Sequence, residues 1–261
     1  MTGTTKDSSP PILELHNIHM QFGGITALKG LTYHVPSGII QAVIGPNGAG
    51  KTTLFHCISG IHQPTAGHIR FEGRPLNGQA PHRVAESGIS RTFQHVALFK
   101  SMTVLENIMV GRHCRTHSGF WATGLRFPGM RTEEARITEK SMAHLDFVGL
   151  SDAAHLPAGA LPLGKQKMLE IARALATDPR LVLLDEPAGG LNMRETEELG
   201  ELIQRICRSG ITVMLVEHDM NLVMDISDLV LVLHYGEFLA AGTPSEIKDR
   251  PEVIEAYLGS E

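Results

Sequence analysis

The stretch GPNGAGKTT, formed by Gly45, Pro46, Asn47, Gly48, Ala49, Gly50, Lys51, Thr52 and Thr53, is the densest concentration of chemistry in the chain. It satisfies G-x-x-x-x-G-K-[ST], in which glycines let backbone N–H groups turn inward around phosphate oxygens. Lys51 is spaced to reach the β- and γ-phosphates of a nucleotide, and the Thr52 hydroxyl to ligate Mg²⁺. Further along, LVLLDEP sets Asp185 and Glu186 at the end of an apolar run. A carboxylate there is unfavourable unless it meets a cation or a proton donor, so Asp185 suits Mg²⁺. Glu186 then suits a general base or the orienter of an attacking water. No N-K-x-D guanine reader occurs, which points to adenine or to loose base selectivity.

Those residues need a scaffold, and the flanking pattern supplies one. IIQAVIG is a β-branched run feeding the glycine loop, and KTTLFHCISG reads as the helix that follows, ending at Gly60. From Gly164 onward α/β alternation resumes. KQKMLEIARALAT carries Met168, Ile171, Ala172 and Leu175 on one stripe, RLVLLDEP is a strand, and Asn192 caps a helix with Leu199, Leu202, Ile203 and Ile206 on its apolar face. ITVMLVEHD and DLVLVLHYGE read as further strands, and continuously apolar strands between helices imply a parallel sheet covered on both faces. Near the start, ILELHNIHMQF and the shorter ALKGLTYHVPSG read as antiparallel strands covering one edge. Residues 96–160 turn helical, as in TVLENIMVGR and EEARITEKSMAHLDFVGL.

The expected organisation is a loose polar leader over 1–10, a core with a β subdomain built from 11–95 and 161–261, and a helical subdomain over 96–160. The 261 residues, 42% hydrophobic and 20% charged, can bury a core of this kind. A net charge of −5 offers no basic face for nucleic acid. Cys57, Cys114 and Cys207 form no framework spacing, which fits a reducing compartment. His113 and His117 lie four apart but lack a third ligand nearby, so HCRTH reads as a solvated basic loop. No apolar run approaches the ~20 residues that span a bilayer, and MTGTTKDSSP has no secretory apolar core, so the chain is expected to be neither membrane-spanning nor secreted.

Taken together, GPNGAGKTT, RTFQ, LPLGKQKMLEIARAL, LVLLDEPAGGLN and VEHDM resemble the ATP-binding subunits of ABC transporters. The resemblance implies an α/β P-loop NTPase (RecA-like) fold: a parallel-sheet core with an antiparallel β subdomain and an inserted α-helical subdomain. It further implies ATP and Mg²⁺ as ligands. Phe22 takes the place of the aromatic that stacks on adenine, although a core anchor is the other reading. Gln94 matches the glutamine that senses Mg²⁺ and the attacking water, Asp185 the magnesium aspartate, Glu186 the catalytic glutamate and His218 the switch histidine. AGGLN stands where the family crosses its dimer interface, with Asn192 in place of the usual aspartate.

GKTTLFHCISG, RTFQHVALF, TVLENIMVGRH, EHDMNLVMDISD and GTPSEIKDRPEVIEAYLG resemble, within that family, the longer ATPase of branched-chain amino-acid importers, the LivG type. The implied partners are a second ABC ATPase subunit, two transmembrane permeases and, indirectly, a periplasmic binding protein, with the chain peripheral on the cytoplasmic face of the inner membrane. Urea, amides and aromatic acids stay open as solutes. A soluble ABC ATPase of DNA repair or translation and a weakly hydrolysing regulatory subunit are the alternatives. The basic, aromatic residues 111–131 read either as a solvated hairpin or as a surface for a permease loop or lipid headgroups.

LPLGKQKMLE stands at the family's signature turn, where Pro162 replaces the usual serine and removes its hydroxyl. Gly164 and the following helix N-terminus are expected to keep contact with the nucleotide held by the opposite subunit.

Overall fold

The computed structural model describes residues 10–92, 97–112 and 128–258. Among them the strands form two sheets. The first is antiparallel, in the order β2-β1-β4-β5, from β1 (Leu13–Phe22), β2 (Ile25–Val35), β4 (Ala66–Phe71) and β5 (Arg74–Pro75). The second has the order β10-β9-β3-β8-β7-β6, from β3 (Ile40–Ile44), β6 (Ile89–Arg91), β7 (Leu181–Asp185), β8 (Thr212–Val216), β9 (Leu229–His234) and β10 (Glu237–Gly242). Strands β9 to β6 run parallel, and β10 alone pairs antiparallel at the edge.

Every residue of β3, β7 and β8 is buried, as a sheet covered on both faces requires. Alternate side chains feed two cores. Ala42, Ile44, Val182, Leu184, Val213 and Leu215 join the core under α5 (Leu163–Leu175) and α6 (Met193–Arg208). Val43, Leu181, Leu183, Met214 and Val216 face the other way, onto α1 (Lys51–Ile58) and the antiparallel sheet. The N-terminal strands therefore lie across a face of the central sheet, with α1 sharing their core, instead of covering only an edge. Contact at the edge is also made, since Lys29 N–H donates to the Gly236 carbonyl at 2.8 Å. The second strand is longer than expected, eleven residues, because Leu28, Leu31 and Val35 are all anchored in that core.

Helix α2 (Pro81–Glu86) precedes β6, and between β6 and β7 the described residues include α3 (Val104–Arg112), α4 (Pro128–Phe147), two 3₁₀ turns and α5. Asn192 caps α6 as the sequence predicts. Its Oδ1 accepts from Glu195 N–H at 3.0 Å while Glu195 Oε2 accepts from Asn192 N–H at 3.0 Å, a reciprocal box. The apolar stripe Leu199, Leu202, Ile203 and Ile206 is fully buried below it. Strand β8 is shorter than ITVMLVEHD suggests. It stops at Val216, and Asp219 caps α7 (Met220–Ile226) with two amides bonded to its side chain. Helices α8 (Pro244–Lys248) and α9 (Pro251–Leu258) close the described chain. Among the described residues no helix is long and apolar enough to cross a membrane.

Candidate functional site

Four parallel-strand ends meet at one place. Strand β3 delivers the glycine loop, which ends where α1 begins at Lys51. Gly45 has φ 148°, and a Cβ there would collide with the Leu233 carbonyl oxygen on β9, so no other residue fits. Gly48, at φ 79°, has open space where a Cβ would stand, which leaves its backbone free to face a ligand. The loop is pinned by Ala49 N–H to the Pro46 carbonyl and by Gly236 N–H to the Ala49 carbonyl, both 3.1 Å. Helix α1 carries no side-chain cap, so its first amides and its dipole point into the loop.

Lys51 is buried and curls back, donating to the Gly45 carbonyl at 2.7 Å and the Pro46 carbonyl at 3.0 Å. Burial pulls its ammonium below the ordinary lysine value, and the charges of Glu186 and Asp185 pull it back up. Those two carboxylates thus share one electrostatic neighbourhood with the loop lysine. Thr52 and Thr53 follow on the first turn of α1, half-buried.

Asp185 ends β7 with its side chain 0% exposed. Its Oδ2 accepts from Arg91 Nη2 at 2.7 Å, and its Oδ1 is buried with no hydrogen-bond partner. An orphaned carboxylate oxygen here, with a threonine hydroxyl on the neighbouring helix, is an all-oxygen donor set that suits a hard divalent cation such as Mg²⁺. Glu186 follows at φ 49°, a left-handed conformation unusual for a side chain with a Cβ. That turn carries its carboxylate off the strand axis to His218, whose Nε2 lies 3.0 Å from Glu186 Oε1. Since an ionised carboxylate only accepts, the ring nitrogen carries the proton in this contact.

Three more side chains hold this arrangement and were not singled out by sequence reasoning. Arg91 is buried against Asp185, donates Nη1 to Ser59 Oγ at 3.1 Å and stands 6.0 Å from the Phe55 ring centroid. Glu217 is buried, accepting from Ala188 N–H at 2.6 Å and from His218 N–H at 3.0 Å, so it ties the loop after β7 to the turn after β8. Lys167, on α5, donates to the Pro187 carbonyl at 2.8 Å and the Glu186 carbonyl at 3.2 Å. Burial lowers its pKa, with Glu217, Glu170 and Glu186 opposing. For Arg91 and Glu217 the available signal was the one applied to Asp185: a charge in or just beyond an apolar strand demands a partner.

Phe22 is 43% exposed at the end of β1, with the His62 ring edge-on at 5.2 Å and His56 beyond it at 5.0 Å. It is therefore a surface aromatic and not a core anchor. Gly164 is buried in the first turn of α5, and a Cβ there would stand 2.7 Å from Glu195 Oε1. The close approach this glycine permits is made to the cap of α6 within the same chain. Pro162 is the N-cap of α5, where its missing N–H is harmless, and Leu163 beside it is exposed. Gln94, His113, Cys114, His117 and most of 111–131 lie outside the described residues. A cavity of about 1240 Å³ runs between α6, α7, α8 and α9, lined by residues such as Met220, Met224 and Tyr257, and Tyr257 also meets the Gly45 backbone of the glycine loop.

The ABC transporter family profile matches residues 28–189. A second profile, described as branched-chain amino acid ATP-binding cassette transporter, matches residues 239–261. Over 252 residues, 96% of this chain and 99% of the relative, the sequence is 46% identical to the high-affinity branched-chain amino acid transport ATP-binding protein BraF of Pseudomonas aeruginosa. It is 42% identical, with the same coverage, to the corresponding LivG protein of Escherichia coli. Among solved structures it is similar to an ATP-binding cassette of an ABC transporter in its ADP conformation, with TM-score 0.84 and 31% identity over 96% of this chain and 100% of that one. With its glycine loop, its strand-end carboxylates and these matches along nearly its whole length, the chain belongs to the ABC transporter family, as an ATP-binding cassette.

Proposed function

We propose that this chain is the ATP-hydrolysing subunit of an importer for branched-chain amino acids, working on the cytoplasmic face of the membrane. The observation that carries the catalytic part is the convergence of Lys51, Asp185, Glu186 and His218, with Glu186 turned by its left-handed backbone onto the His218 ring. The solute follows from the names of relatives 42–46% identical over 96% of the chain.

In this reading the phosphates of ATP sit over the loop amides, and Lys51 exchanges the Gly45 and Pro46 carbonyls for β- and γ-phosphate oxygens. Thr52 and Asp185 Oδ1 would hold Mg²⁺, which supplies charge neutralisation at the β- and γ-phosphate oxygens. Glu186 accepts a proton from the attacking water as the water oxygen bonds to the γ-phosphorus. The bond to the bridging oxygen breaks, releasing ADP and phosphate. His218 holds the Glu186 carboxylate in line through Nε2, and when ATP is bound it swings that same N–H from Glu186 to the γ-phosphate. Gln94 is assigned to the same water and cation, and Phe22 to adenine.

The partners we assign are a second ABC ATPase subunit forming a heterodimer, two permeases, and a periplasmic binding protein that delivers solute to them. The turn Pro162-Leu163-Gly164 then faces the ATP of the other subunit without a serine hydroxyl, so the two sites are unequal. The test is uptake in proteoliposomes holding both ATPases and both permeases, with the binding protein supplied outside. The expected result is leucine-dependent ATP hydrolysis and leucine accumulation. Stimulation by urea, amides or phenylalanine alone would overturn the solute, and no hydrolysis at all would overturn the catalytic reading.

A further inference from the structure

The outer face of the antiparallel sheet carries a cluster that the ATP site does not use. Along β1, Leu13 and Leu15 are buried in the core, so Glu14 and His16 point the other way. Across the ladder Glu14 pairs directly with His34 on β2, and Val35 beside it is fully buried, which fixes His34 on the same outer face. One ligand-capable atom from each of Glu14, His16 and His34 lies within 4.8 Å of the other two. His16 Nε2 and Glu14 Oε2 are 3.1 Å apart, and the two imidazole rings have centroids 5.1 Å apart at 64°.

We propose that Glu14, His16 and His34 form a site for a divalent transition-metal cation of the Zn²⁺ class. Zn²⁺ binds imidazole nitrogen and carboxylate oxygen at about 2.0–2.2 Å, which in a tetrahedron puts ligand atoms about 3.3 Å apart. The Glu14–His16 pair is already at that spacing, and His34 closes the remaining distance by side-chain rotation. Two nitrogens and one oxygen also select against Mg²⁺, which prefers oxygen alone, so the site does not compete with the ATP site for its cation. The ligands stand on paired strands and not on a loop, so their spacing is held by the backbone ladder. His68 on β4 is exposed and stands opposite His16 across the ladder, outside the cluster as it is arranged here, so water completes the coordination. Arg70 pairs with Glu14 from the same strand and makes no ion pair among the described residues. Its charge opposes a metal.

The test is equilibrium dialysis of the tag-free full chain against Zn²⁺ in the presence of excess Mg²⁺. One Zn²⁺ per chain is expected. His16→Ala and His34→Ala should each weaken it more than about tenfold, since even the outer partners of metal ligands are worth 10–100-fold. His19→Ala, on the same strand but outside the cluster, should leave it unchanged, and Arg70→Gln should tighten it. Retained ATP binding checks that each variant folds. Stoichiometric Zn²⁺ uptake that His16→Ala and His34→Ala leave intact would place the metal elsewhere and overturn the proposal, as would no stoichiometric uptake.

Discussion

Replacing Arg91 by methionine isolates the buried ion pair on which the strand-end aspartate depends. Asp185 is 0% exposed and Arg91 8%, and the single contact between them is 2.7 Å. Methionine keeps most of the apolar volume against Phe55 but removes the charge, leaving a carboxylate with one oxygen newly bare beside another that already lacks a partner. Stripping one member of a buried pair costs about 3–5 kcal/mol, because the remaining charge is uncompensated. For a chain of this size each kcal/mol moves Tm by about 2–4 °C, so Arg91→Met should melt roughly 6–20 °C below the parent. Adding Asp185→Asn removes the stranded charge, and the double variant should regain most of the loss. Mg²⁺ and ATP should raise the Tm of Arg91→Met more than that of the parent, since a cation at Asp185 relieves the same defect. Differential scanning calorimetry of the four proteins settles it. If Arg91→Met melts within about 1 kcal/mol of the parent, or if the double variant loses the sum of the two singles, the electrostatic reasoning is wrong.

Asn192 and Cys57 carry further predictions from other parts of the fold. Asn192→Ala should cost about 1 kcal/mol by removing the cap of α6, whereas Asn192→Asp keeps the acceptor and should melt with the parent, both read by thermal denaturation. Burial pushes the Cys57 thiol up to about 11, so it should resist alkylation at pH 8 until the chain is unfolded. Because its folded pKa is raised, native stability relative to Cys57→Ala should be constant below about pH 8.5. It should then fall by roughly 2–3 kcal/mol as pH rises to about 11, measured by urea unfolding across that range.

The loop lysine, the two strand-end carboxylates and the α6 cap were legible in the sequence because each is a local pattern. Glycine spacing, a charge closing an apolar run, and Asn followed three residues later by Glu declare themselves within a few positions. Arg91, Glu217 and Lys167 were not legible as a set, since their partners are distant: Arg91 meets Asp185 94 residues on, and Glu217 meets Ala188 29 residues back. The left-handed turn at Glu186 has no residue-type signature, because the position is held by the ladder bond from its N–H to the Val216 carbonyl at 2.9 Å and not by a glycine. Gly164 shows another limit. Its residue type permits a close approach, and the neighbour within this chain is Glu195, which only the packing of α5 on α6 reveals. The histidines behave likewise. A scan at helical spacing finds His113 and His117, whereas His16 and His34 come together only through the pairing of β1 with β2.

In the proposed mechanism Glu186 takes the proton of the attacking water. Glu186→Gln keeps the shape and the contact distance to His218 but cannot accept that proton. In the complete transporter, steady-state ATP hydrolysis by the variant should fall by at least about 10²-fold, the lower bound for a lost general base, with ATP binding retained and solute uptake abolished. Unchanged hydrolysis and uptake would show that Glu186 does not take that proton.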